Sequence, residues 1–250
     1  MTESLLGSWF SINLRTRSFL SNRTIPKPML KIKGKPILEH NIEWLKSHGI
    51  TKIYINLHHL PDVITDYFED GEKFGVSIKY SYEPQLLGTA GAVRKILVNN
   101  WEEVEKGDFE PLVVIYGDNL VNFNLKEILD FHKRKGGVAT IVVYEKEDVS
   151  QSGIVLLDKN DRVLKFIEKP RPEERLSHLV NAGIYILETK VIINYIPADR
   201  YSDFGKDIFP SMLKKGAKIF AIKMKGELIA VDTPELLNKA LNLNQDMRGK

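Results

Sequence analysis

The sequence predicts an α/β fold, a Rossmann-like, mixed and mostly parallel sheet flanked by helices. Apolar runs of strand type alternate along the chain with segments of helical period, which is typical of βαβ units. The chain has 250 residues, a length that fits one α/β domain. Hydrophobic residues make up 43% of the chain and charged residues 28%, and these proportions exclude a disordered, collagen-like or coiled-coil protein.

The first half of the chain shows the alternation most clearly. Apolar side chains recur at helical spacing from Ile37 to Leu45, Pro36 suits the first turn, and Gly49 can close the helix. The run Leu112–Tyr116 is apolar enough for a buried parallel strand. The further elements predicted up to residue 144 are strands over Lys52–Leu57, Val76–Tyr82 and Val138–Tyr144, and helices over Val63–Phe68, Ala90–Val98 and Leu125–Lys135.

The pattern changes after residue 144. Gly153–Leu157 and Val163–Ile167, joined by a polar turn, predict an antiparallel hairpin. Strands over Val180–Leu187 and Lys218–Met224 follow, with helices near Phe204–Lys215 and Pro234–Leu243. We expect residues 1–250 to form one domain, with a nucleotide-binding half over residues 1–120 and a substrate-binding half over residues 121–250. Ligands in such sheets bind beyond the carboxyl ends of the strands.

Composition excludes several classes of function. The net charge is +3 and no segregated basic stripe with interleaved aromatic residues occurs, so we expect no nucleic-acid partner. No run of about 18 apolar residues predicts a membrane span, and the start of the chain lacks the features of a signal peptide. The chain contains no cysteine, which excludes a disulfide framework, a thiolate metal site and a cysteine nucleophile. We expect a soluble, cytoplasmic protein.

Asp118 is the first candidate for chemistry, because Gly117-Asp118-Asn119 follows the most apolar strand directly. A carboxylate at the end of a central parallel strand is well placed to hold Mg²⁺ and a polyphosphate, since this ion prefers oxygen ligands. The alternative is an aspartate that only caps a loop or the next helix. The position alone does not decide between the two.

Gly88-Thr89-Ala90-Gly91 opens a predicted helix after a loop that contains proline. Glycines there let a ligand approach the backbone, and a helix N-terminus favours anionic groups. The alternative is a tight loop in which Thr89 serves as the N-cap. The motif is not the G-x-G-x-x-G pattern, so it does not indicate a nicotinamide dehydrogenase.

Two lysines stand beside prolines, Lys27 in PKPM and Lys169 in EKP. Proline restricts the neighbouring backbone, so the ammonium group can be held toward a phosphate. The alternative for both tripeptides is an exposed turn.

Seven short segments follow one another in a recognisable order. They are PKPMLKIKGKPILEHNIEWLKSHGI, LLGTAGAV, YGDNL, FIEKP, VNAGIY, DFGKDIFP and VDTPE. Each segment is weakly specific, but their order and spacing together are highly specific and resemble those of the sugar-1-phosphate nucleotidyltransferases. The resemblance runs from about Pro26 to the C-terminus, and it implies the fold of the nucleotide-diphospho-sugar transferases.

This resemblance implies a Mg²⁺-dependent reaction between a nucleoside triphosphate and a sugar 1-phosphate, in which a phosphate oxygen attacks the α-phosphate and expels pyrophosphate. It implies that Asp118 holds the metal and that Lys27 contacts the phosphates. Gly88 and Thr89 would then lie near the nucleoside. The residues that would surround the sugar phosphate are Gly153, Glu168, Lys169 and Asn181.

The glycine-rich loop of the family is replaced in this chain. The family's G-G-x-G-T-R falls on residues 12–17, where Thr16 and Arg17 survive but all three glycines are lost. Residues with a Cβ resist the left-handed backbone that a phosphate cradle needs. Arg15 and Arg17 could supply side-chain contacts to phosphate instead. The alternative is a catalytically impaired member that binds a sugar nucleotide and acts as a regulatory or scaffold subunit.

A second departure concerns the late metal carboxylate of the family. The aspartate of its D-I-G-T-P-E falls on Ala230, and Asp232 stands two residues on. We therefore predict Asp232 as a second metal ligand, with the alternative that it caps the helix entered at Pro234. The sequence does not name the base or the sugar, and a homo-oligomer stays open.

Overall fold

The structure is a computed structural model that describes residues 9–13, 25–106, 111–198, 200–231 and 234–242. Its strands are β1 (Trp9–Asn13), β2 (Lys31–Ile32), β3 (Lys35–Pro36), β4 (Lys52–Leu57), β5 (Ser77–Tyr82), β6 (Leu112–Tyr116), β7 (Asn119–Phe123), β8 (Ala139–Glu145), β9 (Gly153–Leu157), β10 (Val163–Glu168), β11 (Leu179–Leu187), β12 (Ile219–Lys223) and β13 (Gly226–Ala230). Its α-helices are α1 (Ile37–Ser47), α2 (Pro61–Phe68), α3 (Gly88–Asn99), α4 (Trp101–Lys106), α5 (Leu125–Lys135), α6 (Thr189–Ile192), α7 (Phe209–Lys214) and α8 (Pro234–Asn242).

The main sheet is mixed. Its strand order is β10-β9-β11-β6-β1-β4-β5, and β8 joins β11 on a branch that continues to β12. The pairs among β6, β1, β4 and β5 are parallel, whereas β11 runs antiparallel to β6, β8 and β9. A separate antiparallel pair joins β7 to β13. The predicted α/β class with helices against a central sheet is confirmed.

Alternating residues of β6 place the core on both faces of the sheet. Leu112 and Val114 pack in one cluster with residues of α3 and α7. Val113 and Ile115 pack in the other with residues of α1 and α5. All four side chains are buried, as expected for a parallel strand covered by helices on both faces. No helix of the described ranges is long and apolar enough to cross a membrane.

The predicted strands and helices are confirmed within a few residues at their ends. One predicted helix is more complex, because a π-helical turn at Phe204–Ile208 precedes α7. The sequence did not predict the strand pair β7 and β13 or the short helices α4 and α6. β7 was missed because it begins directly after Asp118, and no turn motif in the sequence marks where the loop ends and the strand begins.

β1 changes the placement of the replaced glycine loop. Ile12 pairs with Ile115 and Asn13 with Tyr116 in parallel register, so both residues belong to the strand. The prediction that the loop starts at Ile12 is wrong, because a residue in a strand ladder has extended backbone. Residues 14–24, with Arg15, Thr16 and Arg17, lie outside the described residues.

Candidate active site

Lys27 and Asp118 lie together beyond the end of β6. Asp118 is 5% exposed and Lys27 is 7% exposed. The Lys27 Nζ atom lies 3.8 Å from Asp118 Oδ2, and Lys27 begins a 3-10 turn that Pro26 introduces. Charges removed from water need charged or polar neighbours. The two residues predicted to contact phosphate and metal therefore share one buried, charged site.

The backbone around Asp118 is fixed from two directions. Val231 donates its N–H to the Asp118 carbonyl oxygen at 3.1 Å, and Ala230 pairs with Asn119 across β13 and β7. Asp232, the second predicted metal ligand, lies outside the described residues, so its role stays a prediction. Val231, the residue before it in the sequence, is in contact with Asp118.

Asn41 is a buried neighbour of the candidate site that sequence reasoning missed. It is fully buried, and its Nδ2 lies 3.5 Å from the carbonyl oxygen of Gly117. Among the described residues, its Oδ1 has no hydrogen-bond partner. The signal was available, because Asn41 stands four residues from both Ile37 and Leu45 on the apolar stripe of α1.

The side chains at this site fit a metal ion that is bound partly by the protein and partly by a substrate. No group of three or more His, Cys, Asp or Glu side chains in the described ranges could hold a metal ion. Mg²⁺ is usually bound through one or two carboxylates together with substrate phosphates and water. The buried carboxylate of Asp118 meets that requirement.

Gly88 opens α3 against the second half of the chain. Its φ is +78°, and a Cβ there would lie 2.5 Å from the carbonyl oxygen of Ser202. The same oxygen accepts hydrogen bonds from the N–H groups of Ala90 and Gly91 at 2.9 and 3.2 Å. Only glycine fits this position, since other residues would combine strained backbone with a collision.

The hydroxyl of Thr89 is used inside the protein. It donates to Asp203 Oδ2 at 3.0 Å and accepts from the N–H of Phe204 at 2.9 Å. Thr89 is 2% exposed, and the N-cap of α3 is Leu87, without a side-chain cap. The alternative of a Thr89 N-cap is therefore wrong. The nucleotide-binding role of Gly88 and Thr89 stays a prediction, in which the backbone would make the contact.

Glu83 is a second buried group that the sequence analysis missed. It follows β5 and is 1% exposed. Its Oε1 accepts from Asn56 Nδ2 and its Oε2 from the N–H of Leu87, both at 3.0 Å. Burial raises the pKa of Glu83, although both hydrogen bonds and the nearby Lys95 and His58 oppose the shift. Glu83 thus fixes the loop that leads into Gly88.

We expect Glu83→Gln to change how stability depends on pH. The folded state raises the pKa of Glu83 above its ordinary value of 4.5. The neutral carboxyl therefore contributes its full stability below pH 4.5, and this contribution is lost as the pH rises through the pKa of the folded state. A glutamine stays neutral, and the Asn56 amide can turn to accept from it. The free energy of unfolding of the variant should therefore rise relative to wild type between pH 4.5 and neutrality.

Urea unfolding at several pH values measures this difference. Glu127→Gln, at an exposed position of α5, is the control for the loss of one carboxylate. Parallel pH profiles for wild type and Glu83→Gln would contradict the prediction.

Glu168 lies between two glycines of different segments. Gly153 pairs with Glu168 across the β9–β10 hairpin, and a Cβ on Gly153 would lie 2.6 Å from Glu168 Oε2. A Cβ on Gly205 would lie 2.9 Å from the same oxygen. Two of the predicted sugar-phosphate residues are therefore adjacent, and Gly205 is a neighbour that the sequence analysis did not identify.

Lys169 has an unusual backbone for its type. Its φ is +50°, its N–H donates to the carbonyl oxygen of Ser152 at 3.1 Å, and its side chain is exposed. A left-handed conformation is rare outside glycine, and residues before proline favour extended backbone. Strain of this kind is concentrated at functional sites, which supports the predicted ligand role of Lys169.

Asn181 lies on β11 beside the hairpin, since its neighbour Val180 pairs with Ile154. Its Oδ1 accepts from the N–H of Gly183 at 3.0 Å, and its Nδ2 donates to the Tyr185 hydroxyl at 2.8 Å. These bonds support an irregularity of β11, where the register with β8 shifts between Asn181 and Tyr185. The Asn181 amide therefore stabilises the irregular backbone of β11.

The two groups of predicted site residues meet at Asn119. Its Nδ2 donates to the carbonyl oxygen of Ala182 at 2.8 Å, so the residue after Asp118 contacts the residue after Asn181. The structure thus brings Lys27 and Asp118 to the same edge of the sheet as the sugar-phosphate group. The members of that group are Gly153, Glu168, Lys169 and Asn181.

Known proteins are similar to this chain over most of its length. The model of the nucleotidyl transferase family matches residues 20–229. A UTP–glucose-1-phosphate uridylyltransferase from Synechocystis sp. is 39% identical over 219 residues, which are 83% of this chain and 55% of that protein. A probable mannose-1-phosphate guanylyltransferase 3 from Oryza sativa subsp. japonica is 32% identical over 250 residues, which are 98% of this chain and 65% of that protein.

A solved structure supports the same fold. HddC from Yersinia pseudotuberculosis, complexed with GMP-PN, superposes with a TM-score of 0.75 at 27% identity, over 94% of this chain and 98% of that chain. The chain spans less than two thirds of the length of the two sequence relatives. The predicted resemblance is confirmed, and the chain belongs to the nucleotidyl transferase family, with the sugar-1-phosphate nucleotidyltransferases.

Proposed function

We propose that the chain transfers a nucleotidyl group from a nucleoside triphosphate to a sugar 1-phosphate and releases pyrophosphate, with Mg²⁺ as the metal. The observation that carries the proposal is the contact between Asn119 and Ala182. It joins a charged site suited to a metal and a triphosphate with a second site suited to a sugar phosphate.

The residues supply positioning and charge, which are most of what this chemistry needs. Lys27 would hold the phosphates of the nucleotide, and Lys169 the phosphate of the sugar. The carboxylate of Glu168 would accept hydrogen bonds from sugar hydroxyls, because an ionised carboxylate only accepts. Asp118 would hold Mg²⁺, which supplies neutralisation of phosphate charge when it is bound.

The test is a pyrophosphate assay with Mg²⁺, a panel of nucleoside triphosphates and a panel of sugar 1-phosphates. UTP with glucose 1-phosphate and GTP with mannose 1-phosphate come first, because similar proteins carry the corresponding names. We expect release of pyrophosphate that requires both substrates. The absence of pyrophosphate release with every pair would contradict the proposal.

A second candidate function follows from the replaced glycine loop. A chain that binds nucleotide and sugar phosphate without turnover would fit a regulatory or scaffold subunit. Calorimetry with the same ligands separates this candidate from an enzyme, because binding without pyrophosphate release supports it. Cytoplasmic location and homo-oligomeric assembly stay predictions.

A further inference from the structure

Residues 202–205 form a segment that lies between the two halves of the candidate site. On one side, the carbonyl oxygen of Ser202 accepts from the first turn of α3, and the N–H of Ser202 donates to the Leu87 carbonyl oxygen at 2.8 Å. On the other side, Gly205 lies against Glu168. The 202–205 segment therefore contacts the predicted nucleotide side and the predicted sugar side at once.

Asp203 is the centre of this segment. It is 3% exposed, and its Oδ2 accepts from the Thr89 hydroxyl at 3.0 Å. Its Oδ1 accepts from the N–H groups of Gly205 and Lys206 at 3.0 and 3.1 Å. One carboxylate thus fixes the start of α3 and the backbone of the glycine that faces Glu168.

The backbone after Asp203 is held by a hydrogen bond and by the packing of buried rings. The N–H of Asp203 donates to Asp207 Oδ2 at 2.8 Å, and the residues from Phe204 to Ile208 form the π-helical turn. Phe204 is fully buried and stacks on Phe209 with ring centroids 5.4 Å apart. Single π-helical turns often occur at functional sites. Here the turn places the Gly205 backbone beside the Glu168 carboxylate.

We propose that Thr89 and Asp203 are positioning residues that hold the nucleotide and sugar-phosphate sides in register for transfer. The proposal rests on the proposed function. Both side chains are buried and bonded to each other, so they act through α3 and through Gly205. A transfer between two bound substrates is sensitive to their alignment, and a displacement of about 1 Å can lower the rate about 100-fold.

Thr89→Val tests the proposal, because valine has the shape of threonine without the hydroxyl. Each side keeps its own ligand contacts and the backbone bonds of Ser202, whereas the two bonds of the Thr89 hydroxyl, to Asp203 Oδ2 and from the N–H of Phe204, are lost. We expect kcat to fall at least about tenfold, with the KM of each substrate changed less than about twofold. Thr89→Ser keeps the hydroxyl and should recover most of the lost turnover.

Thr140→Val is the matched control. Thr140 is fully buried on β8, and its hydroxyl hydrogen-bonds His132 Nδ1 at 2.8 Å, away from the candidate site. We expect Thr140→Val to lower the melting temperature about as much as Thr89→Val does and to leave kcat unchanged. Calorimetric stoichiometry with the triphosphate used in the kinetic assay corrects every kcat for the fraction of competent protein.

The kinetic experiment uses the substrate pair that gives the fastest release of pyrophosphate by wild type. An unchanged kcat in Thr89→Val overturns the proposal, and so does an equal fall in Thr140→Val. A raised KM for the triphosphate at unchanged kcat also overturns it, because Thr89 would then contact nucleotide directly. If wild type releases no pyrophosphate from any pair, the proposed function fails and this proposal with it.

Discussion

Asp118→Asn is expected to lower kcat/KM for pyrophosphate release by about 1,000-fold, which corresponds to about 4 kcal/mol of transition-state stabilisation. The amide keeps the shape of the side chain but removes the negative charge that faces Lys27 at 3.8 Å. It also removes the carboxylate that would hold Mg²⁺. The assay is pyrophosphate release at varied triphosphate concentration.

A second measurement separates the metal from general damage. In the presence of triphosphate, Mn²⁺ should bind more weakly to Asp118→Asn than to wild type. Asp130→Asn is the control, since the Asp130 carboxylate pairs with Lys126 on the exposed face of α5. Equal Mn²⁺ affinity and equal turnover in Asp118→Asn and wild type would remove Asp118 from the site.

Lys169→Gly is expected to stabilise the protein and to weaken its binding of sugar 1-phosphate. Loss of the ammonium should weaken binding by about 1.5–3 kcal/mol, the range of a hydrogen bond to a charged group. Glycine relieves the left-handed backbone at φ +50°, whereas alanine keeps it. The glycine variant should therefore be more stable than Lys169→Ala by about 1 kcal/mol.

Two measurements check this expectation. Calorimetry with glucose 1-phosphate and mannose 1-phosphate gives the affinity, and urea unfolding gives the free energy of unfolding. Lys165→Ala, at an exposed position of β10, is the control for loss of a lysine nearby. Unaltered affinity in both Lys169 variants would show that this lysine does not contact the sugar phosphate.

The position of Asp118 at the edge of the sheet was within reach of the sequence. Asp118 follows an apolar run of five residues, and residues after such strands gather at one edge of a parallel sheet. The predicted hairpin brings Gly153 close to the end of the second strand, and the bulge between Val163 and Lys165 makes Glu168 its partner. These two placements need only local periodicity, whereas the roles of Lys27, Gly153 and Glu168 were implied by the family resemblance.

The link between Thr89 and Asp203 could not be predicted in this way. The two residues are 114 positions apart, and no periodic pattern encodes a contact between a helix start and a distant loop. Glu83 was missed for a related reason, because a carboxylate after a strand is usually exposed. Its burial depends on Asn56, which the sheet brings close from the neighbouring strand β4.

β11 has a consequence for how the chain acquires its structure. The strand pairs with β6 through Ile184 and Ile115, although about 70 residues separate them in the sequence. Contacts between distant segments slow folding, because a long loop must close before they form. During synthesis, the edge of β6 that pairs with β11 therefore stays unpaired with it until residues 179–187 have left the ribosome. The predicted boundary near residue 120 concerns ligand roles only, whereas the sheet becomes complete only when both halves have been made.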